Sequence, residues 1–194
     1  MNDLIIDYQF ISGWYIEDNS ICDSLIDLWK NSDKQIGTVN INGSSIIDKN
    51  YKDSIEVKIH PNSDNFYFLK YLDELRIIAK KYITQYPWSD KFSPWSITDS
   101  VNLQYYPPNG GFKSWHTERS SATHPFASRH LVFMTYLNDV WEGGETEFYH
   151  QNLKVSPKKG LTLIWPSDWT HLHRGLVSKT QEKWIITGWF NFLN

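Results

Sequence analysis

The spacing of apolar residues divides the chain into two textures. In the first half they recur at helical intervals twice. Over 18–31 (DNSICDSLIDLWKN) Ile21, Leu25 and Leu28 share a stripe with Trp29 beside them, and Asp18, Asn19 and Ser20 stand ahead of it as candidate caps. Over 65–86 (NFYFLKYLDELRIIAKKYITQY) Phe68, Leu72, Leu75, Ile78, Ala79, Tyr82 and Ile83 share a face. Pro87 ends that run, because it has no N–H to continue a helix. Between the two, 35–63 is rich in Asn, Ser, Lys and Ile without a helical period, and predicts a strand or two among polar loops.

After Pro87 the period changes. Segments 97–106, 130–137, 145–149, 161–165, 171–177 and 183–192 are β-branched and aromatic, and turn clusters at 107–111, 138–144, 157–160 and 166–168 separate them. Six short strands without helical crossovers predict an antiparallel double sheet or barrel. With no repeat, linker or low-complexity tract, residues 1–194 read as a single domain, a helical N-terminal layer over about 1–95 packed on a β core over about 96–194. The stretch 86–95 (YPWSDKFSPW) reads as a packed connector or a mobile aromatic lip, the connector being preferred.

Composition narrows the class. At 194 residues, 40% hydrophobic and 21% charged, the chain can bury a real core. A net charge of −3 argues against nucleic acid or an anionic membrane as a general partner. No apolar run reaches the roughly 18 residues that span a bilayer, and the opening residues lack the basic and apolar regions of a secretory signal. A single cysteine, Cys22, leaves no intramolecular disulfide and suits a reducing compartment, so the expectation is a soluble, cytoplasmic protein. Ten tryptophans, eleven tyrosines and ten phenylalanines suit a small β-rich core, and some of them are candidates for lining a substrate groove.

The histidines bring in chemistry. His116 is followed two residues later by Glu118 in FKSWHTERS, and in extended chain such a pair projects to one side. A second imidazole stands 55 or 57 residues on, at His171 or His173 in WTHLHRGLV, and strand parity does not separate the two. Two imidazoles and a carboxylate form the facial set that suits Fe(II), with positions left for a chelating cosubstrate and dioxygen. Zinc competes for any such set, but the HExxH helix of zinc peptidases is absent and no side chain offers a hydrolytic base. Lys183 opens the last strand, KWIITGWFNF, where alternation places Lys183, Ile185, Thr187 and Trp189 on one face. An ammonium at the inner end of an apolar strand needs an anion, such as the far carboxylate of a chelating keto acid.

Four runs in order, LQYYPPNGGFKSWHTE, SRHLVFMTYLNDVWEGGETEFY, VSPKKGLTLIWPSDWTHLHRG and EKWIITGWF, make residues 101–192 resemble the iron- and 2-oxoglutarate-dependent dioxygenases of the prolyl hydroxylase branch. YLNDVWEGGETEF is the most specific of these pieces. The resemblance implies a mainly β protein with a double-stranded β-helix (jelly roll, cupin-like) core under N-terminal helices. It implies that His116, Glu118 and His173 hold the iron, with His171 the rival for the third place. His173 is preferred because Arg174-Gly175 and a basic residue ten positions on follow it, as in the family. It places Lys183, Tyr106, Tyr136 and Thr187 around 2-oxoglutarate, and Arg129 and Trp189 toward the substrate. Fe(II), 2-oxoglutarate, dioxygen and ascorbate as reductant are the implied cofactors. The implied substrate is a prolyl residue in a peptide or protein; the alternatives are a small metabolite, a non-prolyl side chain, or a non-catalytic cupin-like binding module. One departure stands out: the branch usually has aspartate where Glu118 stands, one methylene shorter. A glycine or alanine there would have suggested a halogenase, which Glu118 argues against.

Overall fold

Both helical runs form in the computed structural model, which describes residues 5–41 and 44–193; the first four residues of the stretch read above for a leader lie outside it. Helix α1 (Ser20–Lys30) buries Ile21, Cys22, Leu25 and Trp29. Asp18 rather than Asn19 does the capping, its Oδ1 accepting from the N–H and hydroxyl of Ser20 at 3.0 and 2.6 Å. Helix α2 (Phe66–Gln85) starts where Asn65 Oδ1 accepts from the N–H groups of Tyr67 and Phe68, both at 3.1 Å. Its buried face holds Tyr71 where the pattern put Leu72, which is only partly buried. The Tyr71 hydroxyl meets Thr135 Oγ1 at 3.0 Å, and Thr135 in turn meets Thr162 at 2.7 Å, so a hydroxyl chain fastens α2 to the sheet beneath. No helix among the described residues is long and apolar enough to cross a membrane.

The N-terminal half is not a helical layer alone. Around the helices lie β1 (Ile6–Tyr8), β2 (Ile11–Tyr15), β3 (Gln35–Ile36), β4 (Val39–Ile41), β5 (Ser44–Ile46), β6 (Lys52–Asp53) and β7 (Ile55–Ile59). They are two to five residues long, too short to show a period, and their cross-strand partners define them. The second half contributes β8 (Trp95–Ser96), β9 (Val101–Tyr106), β10 (Gly111–Phe112), β11 (Arg129–Tyr136), β12 (Thr146–Phe148), β13 (Leu153–Val155), β14 (Leu161–Pro166), β15 (His173–Gly175) and β16 (Lys183–Phe192). A nine-stranded sheet runs β1-β2-β14-β11-β16-β9-β7-β3, with β8 paired to β16, so N-terminal strands extend both of its edges. A second sheet runs β13-β12-β15, and β6 pairs with β10 and β4 with β5.

Period-two alternation splits the core. Leu131 and Phe133 of β11, with Leu103, Trp184 and Ile186, turn toward the helices. Val132, Met134 and Tyr136, with Tyr106, Phe148, Leu163, Trp165 and Ile185, form a second cluster between the two sheets, and the functional side chains open from it. The 86–95 stretch is only half a connector. Trp95 packs edge-on against Phe190 at 4.8 Å and its Nε1 donates to Ser89 O at 3.1 Å, whereas Trp88 and Phe92 are exposed.

Because Asn65 satisfies two otherwise open N–H groups of α2, Asn65→Ala is expected to lower stability by about 1 kcal/mol. A shift of the urea midpoint at constant slope is the readout; an unmoved midpoint would show that the cap contributes nothing.

Candidate metal centre and cosubstrate cavity

His116 and His173 are cross-strand partners. Each N–H donates to the other's carbonyl at 3.0 Å, an antiparallel pair that aims both side chains at the same face. The rings lie 4.3 Å apart between centroids. His116 Nδ1 is 3.0 Å from Ser114 O and His173 Nδ1 is 2.9 Å from His171 O. A carbonyl oxygen only accepts, so both protons sit on Nδ1 and both Nε2 lone pairs are free to ligate.

Two residues after His116, Glu118 Oε1 stands 3.6 Å from His116 Nε2 and 3.5 Å from His173 Nε2. One donor atom from each of the three lies within 4.8 Å of the others. Donors about 2.1 Å from a shared cation stand roughly 3.0–3.4 Å apart, so a small rotamer adjustment closes this set on one ion. Burial works against the Glu118 carboxylate, but the facing imidazoles of His116 and His173 and the charge of Arg129 outweigh it and hold the group well below the usual carboxylate range. Burial lowers His116, with the neighbouring His173 adding to the effect, which favours the neutral imidazole a metal requires. The residues therefore fit a divalent transition metal with one face left open.

His171 takes no part. Its Nε2 meets Gln9 O at 2.9 Å and its Nδ1 meets Thr170 Oγ1 at 3.0 Å, so it ties the β1–β2 turn to the loop before β15.

The donors open into a cavity of about 100 Å³ lined in part by Tyr106, Gln104, Asn102, Thr146 and Trp165. Lys183, Ile185, Thr187 and Trp189 all line it, as the alternation of the last strand predicts. Lys183 is 5% exposed, and its one hydrogen bond among the described residues goes to Gly144 O at 2.9 Å. Among the described residues no carboxylate is in ion-pair contact with it, and burial pushes its ammonium down to about 8, only partly countered by the charge of Glu145. Gly143 and Gly144 make that carbonyl reachable. Both have positive φ, +70° and +77°, and a Cβ on Gly143 would lie 2.3 Å from Val177 O.

The other sequence-derived candidates separate. Tyr106 pairs with Lys183 across β9 and β16, lies under its ammonium at 5.0 Å, and donates to Gln104 Oε1 at 2.6 Å. Thr187 lines the cavity while donating to Phe133 O at 2.9 Å. Tyr136 is fully buried and donates to Thr146 Oγ1 at 2.6 Å, and it is Thr146 that lines the cavity. Arg129 is also placed differently from a free substrate-facing arginine. Its Nη1 reaches Glu118 O at 3.0 Å and Glu118 Oε2 at 3.3 Å, and its guanidinium stacks 3.5 Å from the Trp189 ring. Arg129 and Trp189 do line an outer groove of about 520 Å³ beyond the donors.

Comparison with known proteins bears on this geometry. The family model described as the 2OG-Fe(II) oxygenase superfamily matches residues 101–191. That stretch, just under half of the chain, is similar in sequence to the superfamily. Probable prolyl 4-hydroxylase 9 of Arabidopsis thaliana is 37% identical over 88 residues, which cover 34% of this chain and 31% of that protein, so the match spans under a third of the relative's length. Among solved structures, a Pseudomonas putida prolyl-4-hydroxylase superposes with TM-score 0.70 at 16% identity, covering 95% of this chain and 94% of that one. The 2OG complex of the viral collagen prolyl hydroxylase from Paramecium Bursaria Chlorella virus-1 gives 0.67 at 18%, covering 98% and 99%. A Trichoplax adhaerens prolyl hydroxylase with a hypoxia inducible factor peptide fragment gives 0.72 at 17%, covering 94% and 84%. At these identities the structures show a shared fold.

Within the matched segment, Asn102, Gln104 and Thr146 are wall residues that sequence reasoning passed over. Asn102 and Gln104 alternate with Tyr106 along β9, so strand parity was the signal for them. Lys52, from outside the segment, also lines the cavity, and nothing near it in sequence marks it.

His116→Ala and His173→Ala are each expected to weaken Mn(II) binding by more than about 100-fold, whereas His171→Phe leaves it within about threefold and lowers the melting temperature. Calorimetric titration separates these outcomes; an equal loss of metal in the His171 variant would overturn the assignment.

Proposed function

We propose that the chain is an Fe(II)- and 2-oxoglutarate-dependent dioxygenase, built on a double-stranded β-helix, that hydroxylates a prolyl residue in a peptide or protein. The observation that carries this reading is that one cavity holds both a three-donor cluster and a buried ammonium with no ion-pair partner among the described residues. A zinc hydrolase has no use for the second feature, and a non-catalytic binding module has no use for the first. The family match over 101–191 and the fold shared with prolyl hydroxylases, one of them in complex with a peptide fragment, support the same reading.

Bound Fe(II) supplies the oxidising power, with dioxygen as oxidant, ascorbate as reductant, and succinate and carbon dioxide as the products of the cosubstrate. The chain supplies position. His116, Glu118 and His173 would hold the ion from one side. Lys183 has two ammonium N–H groups to spare after Gly144 O, and these would take the far carboxylate of 2-oxoglutarate. Gly175 preserves room there, since a Cβ at that position would lie 3.3 Å from Lys183 Nζ. Trp165 stands edge-to-face against His173 with centroids 5.1 Å apart, and with Phe148 it walls the donors from solvent. Arg129 keeps the second oxygen of Glu118 occupied, so that Oε1 faces the imidazoles.

The purified chain given Fe(II), ascorbate and 2-oxoglutarate is expected to release succinate slowly without any prime substrate; no succinate above a metal-free control would overturn the reading. A second test follows from Lys183. Its ammonium is lost as pH rises through about 8, so 2-oxoglutarate affinity with Mn(II) in place of iron is expected to fall above that pH, and binding near it to take up a proton. Buffer-dependent calorimetric enthalpies report the proton, and an affinity flat across that range would remove Lys183 from the role.

The same group sets a stability effect. A lysine lowered from 10.5 to about 8 penalises the folded state fully below pH 8 and less as pH rises toward 10.5. At about 1.4 kcal/mol per unit the penalty is up to about 3 kcal/mol. Lys183→Met is therefore expected to raise the melting temperature at neutral pH while abolishing dicarboxylate binding; a lower melting temperature would refute the penalty.

A further inference from the structure

A second ammonium is buried in the wall of the cavity, and the metal and cosubstrate leave it without a task. Lys52 of β6 is 6% exposed and lines both the inner cavity and the outer groove. It shares that position with Phe112, His116, Glu118 and Trp189, so it stands where the two spaces meet beside the candidate metal donors. Its Nζ ion-pairs with Glu56 Oε1, whose side chain is equally buried, and Ser54 Oγ donates to the same oxygen at 2.8 Å. The ammonium lies 5.2 Å from the centre of the Phe112 ring, and that ring stacks on His116 at 3.5 Å with an interplanar angle of 6°.

Glu56 takes one of the three ammonium donors. No other hydrogen-bond acceptor for Lys52 is found among the described residues, so its remaining N–H groups are available to a ligand. Stability does not account for the pair, because well-packed apolar residues in place of a buried ion pair are neutral or better. The contrast with Lys183 indicates what each one wants. Lys183 has no counter-anion among the described residues, so an incoming carboxylate completes it. Lys52 is already neutralised, and the other carboxylate at the junction, Glu118, is matched by Arg129. A carboxylate set against Lys52 would also stand against Glu56, whereas a carbonyl accepts the spare N–H groups and adds no charge.

We propose that Lys52 receives the carbonyl oxygen of the residue being hydroxylated, and that Glu56 makes the site select an amide over a free carboxylate. The inference rests on the peptide reading above and deepens it: the site takes a residue within a chain rather than a free amino acid or a C-terminal one.

The test uses two probes, N-acetyl-alanyl-proline amide and the corresponding free acid, titrated calorimetrically into the full chain loaded with Mn(II) and 2-oxoglutarate. The wild type is expected to bind the amide at least about tenfold more tightly than the acid. Glu56→Gln keeps the shape and uncovers the Lys52 charge, and is expected to shift the ratio toward the acid by at least about tenfold. Should that variant not fold, the double variant K52M/E56Q, which leaves no charge unpaired, is expected to bind both probes within about threefold of each other. A wild type that prefers the acid or binds neither probe would overturn the proposal, as would an unchanged ratio in a folded variant. Succinate release by the wild type without peptide keeps the two readings apart: if it occurs and the ratio does not move, only the role of Lys52 is lost.

Discussion

Two reciprocal backbone hydrogen bonds between His116 and His173 fix the geometry on which the site rests. They join residues 57 apart in sequence and, as a hydrogen-bonded antiparallel pair, leave the imidazoles no choice of face. Each ring is then oriented by the same local device, Nδ1 on the carbonyl two residues earlier, at Ser114 and at His171. Convergence and tautomer are thus both set by main-chain atoms, so the donors are assembled before any ion arrives. Glu118 joins them because it lies two positions from His116 on the same side of an extended segment.

Charge pairing around this centre divides the cavity into chemically distinct zones. At the inner end Lys183 is buried against Tyr106 with a single carbonyl for company, a net positive position in an apolar wall. At the junction with the outer groove, Lys52 and Arg129 each carry a carboxylate partner, Glu56 and Glu118. A dicarboxylic ligand entering such a space has one orientation in which its charge is matched. Whatever the uncompensated ammonium costs the empty fold is returned on binding, because a ligand that completes the charge binds only the folded state. The glycine pair at 143–144 belongs to this arrangement as much as the lysine does. Its left-handed backbone turns the Gly144 carbonyl inward, and the Val177 backbone lies too close to Gly143 for a side chain there.

The legible parts of the sequence were those with a long period or a local motif. Both helices, the six principal strands and the shared face of Lys183, Ile185, Thr187 and Trp189 follow from spacing alone. Strands of two to five residues in the first half carry no such period, and the tertiary pairings that extend both edges of the large sheet make them. Parity could not separate His171 from His173. The difference lies in a short turn at Trp169–His171, which points the first ring at Gln9 before the strand begins at the second. Tyr136 shares a parity with inward residues of β11, but whether its hydroxyl reaches the cavity depends on Thr146 standing in front of it, a fact of packing. Lys52 lies 64 residues before His116, and only the pairing of β6 with β10 brings it alongside.

The glutamate at position 118 shows how a departure from the usual residue is accommodated. One more methylene gives the carboxylate an extra rotatable bond, and a floppier donor is a poorer one, since that freedom is lost on binding. Arg129 answers this by gripping both ends of the residue: Nη1 bonds the Glu118 backbone carbonyl at 3.0 Å and meets Oε2 at 3.3 Å. The guanidinium is itself held flat against Trp189 at 3.5 Å and against Phe126 at 4.7 Å, so the clamp has little freedom of its own. With one oxygen and the main chain pinned, Oε1 is left at nearly equal distances from the two Nε2 atoms. The longer side chain reaches the shared point because the arginine takes up its slack. Trp189, through this stack, is coupled to the donor set.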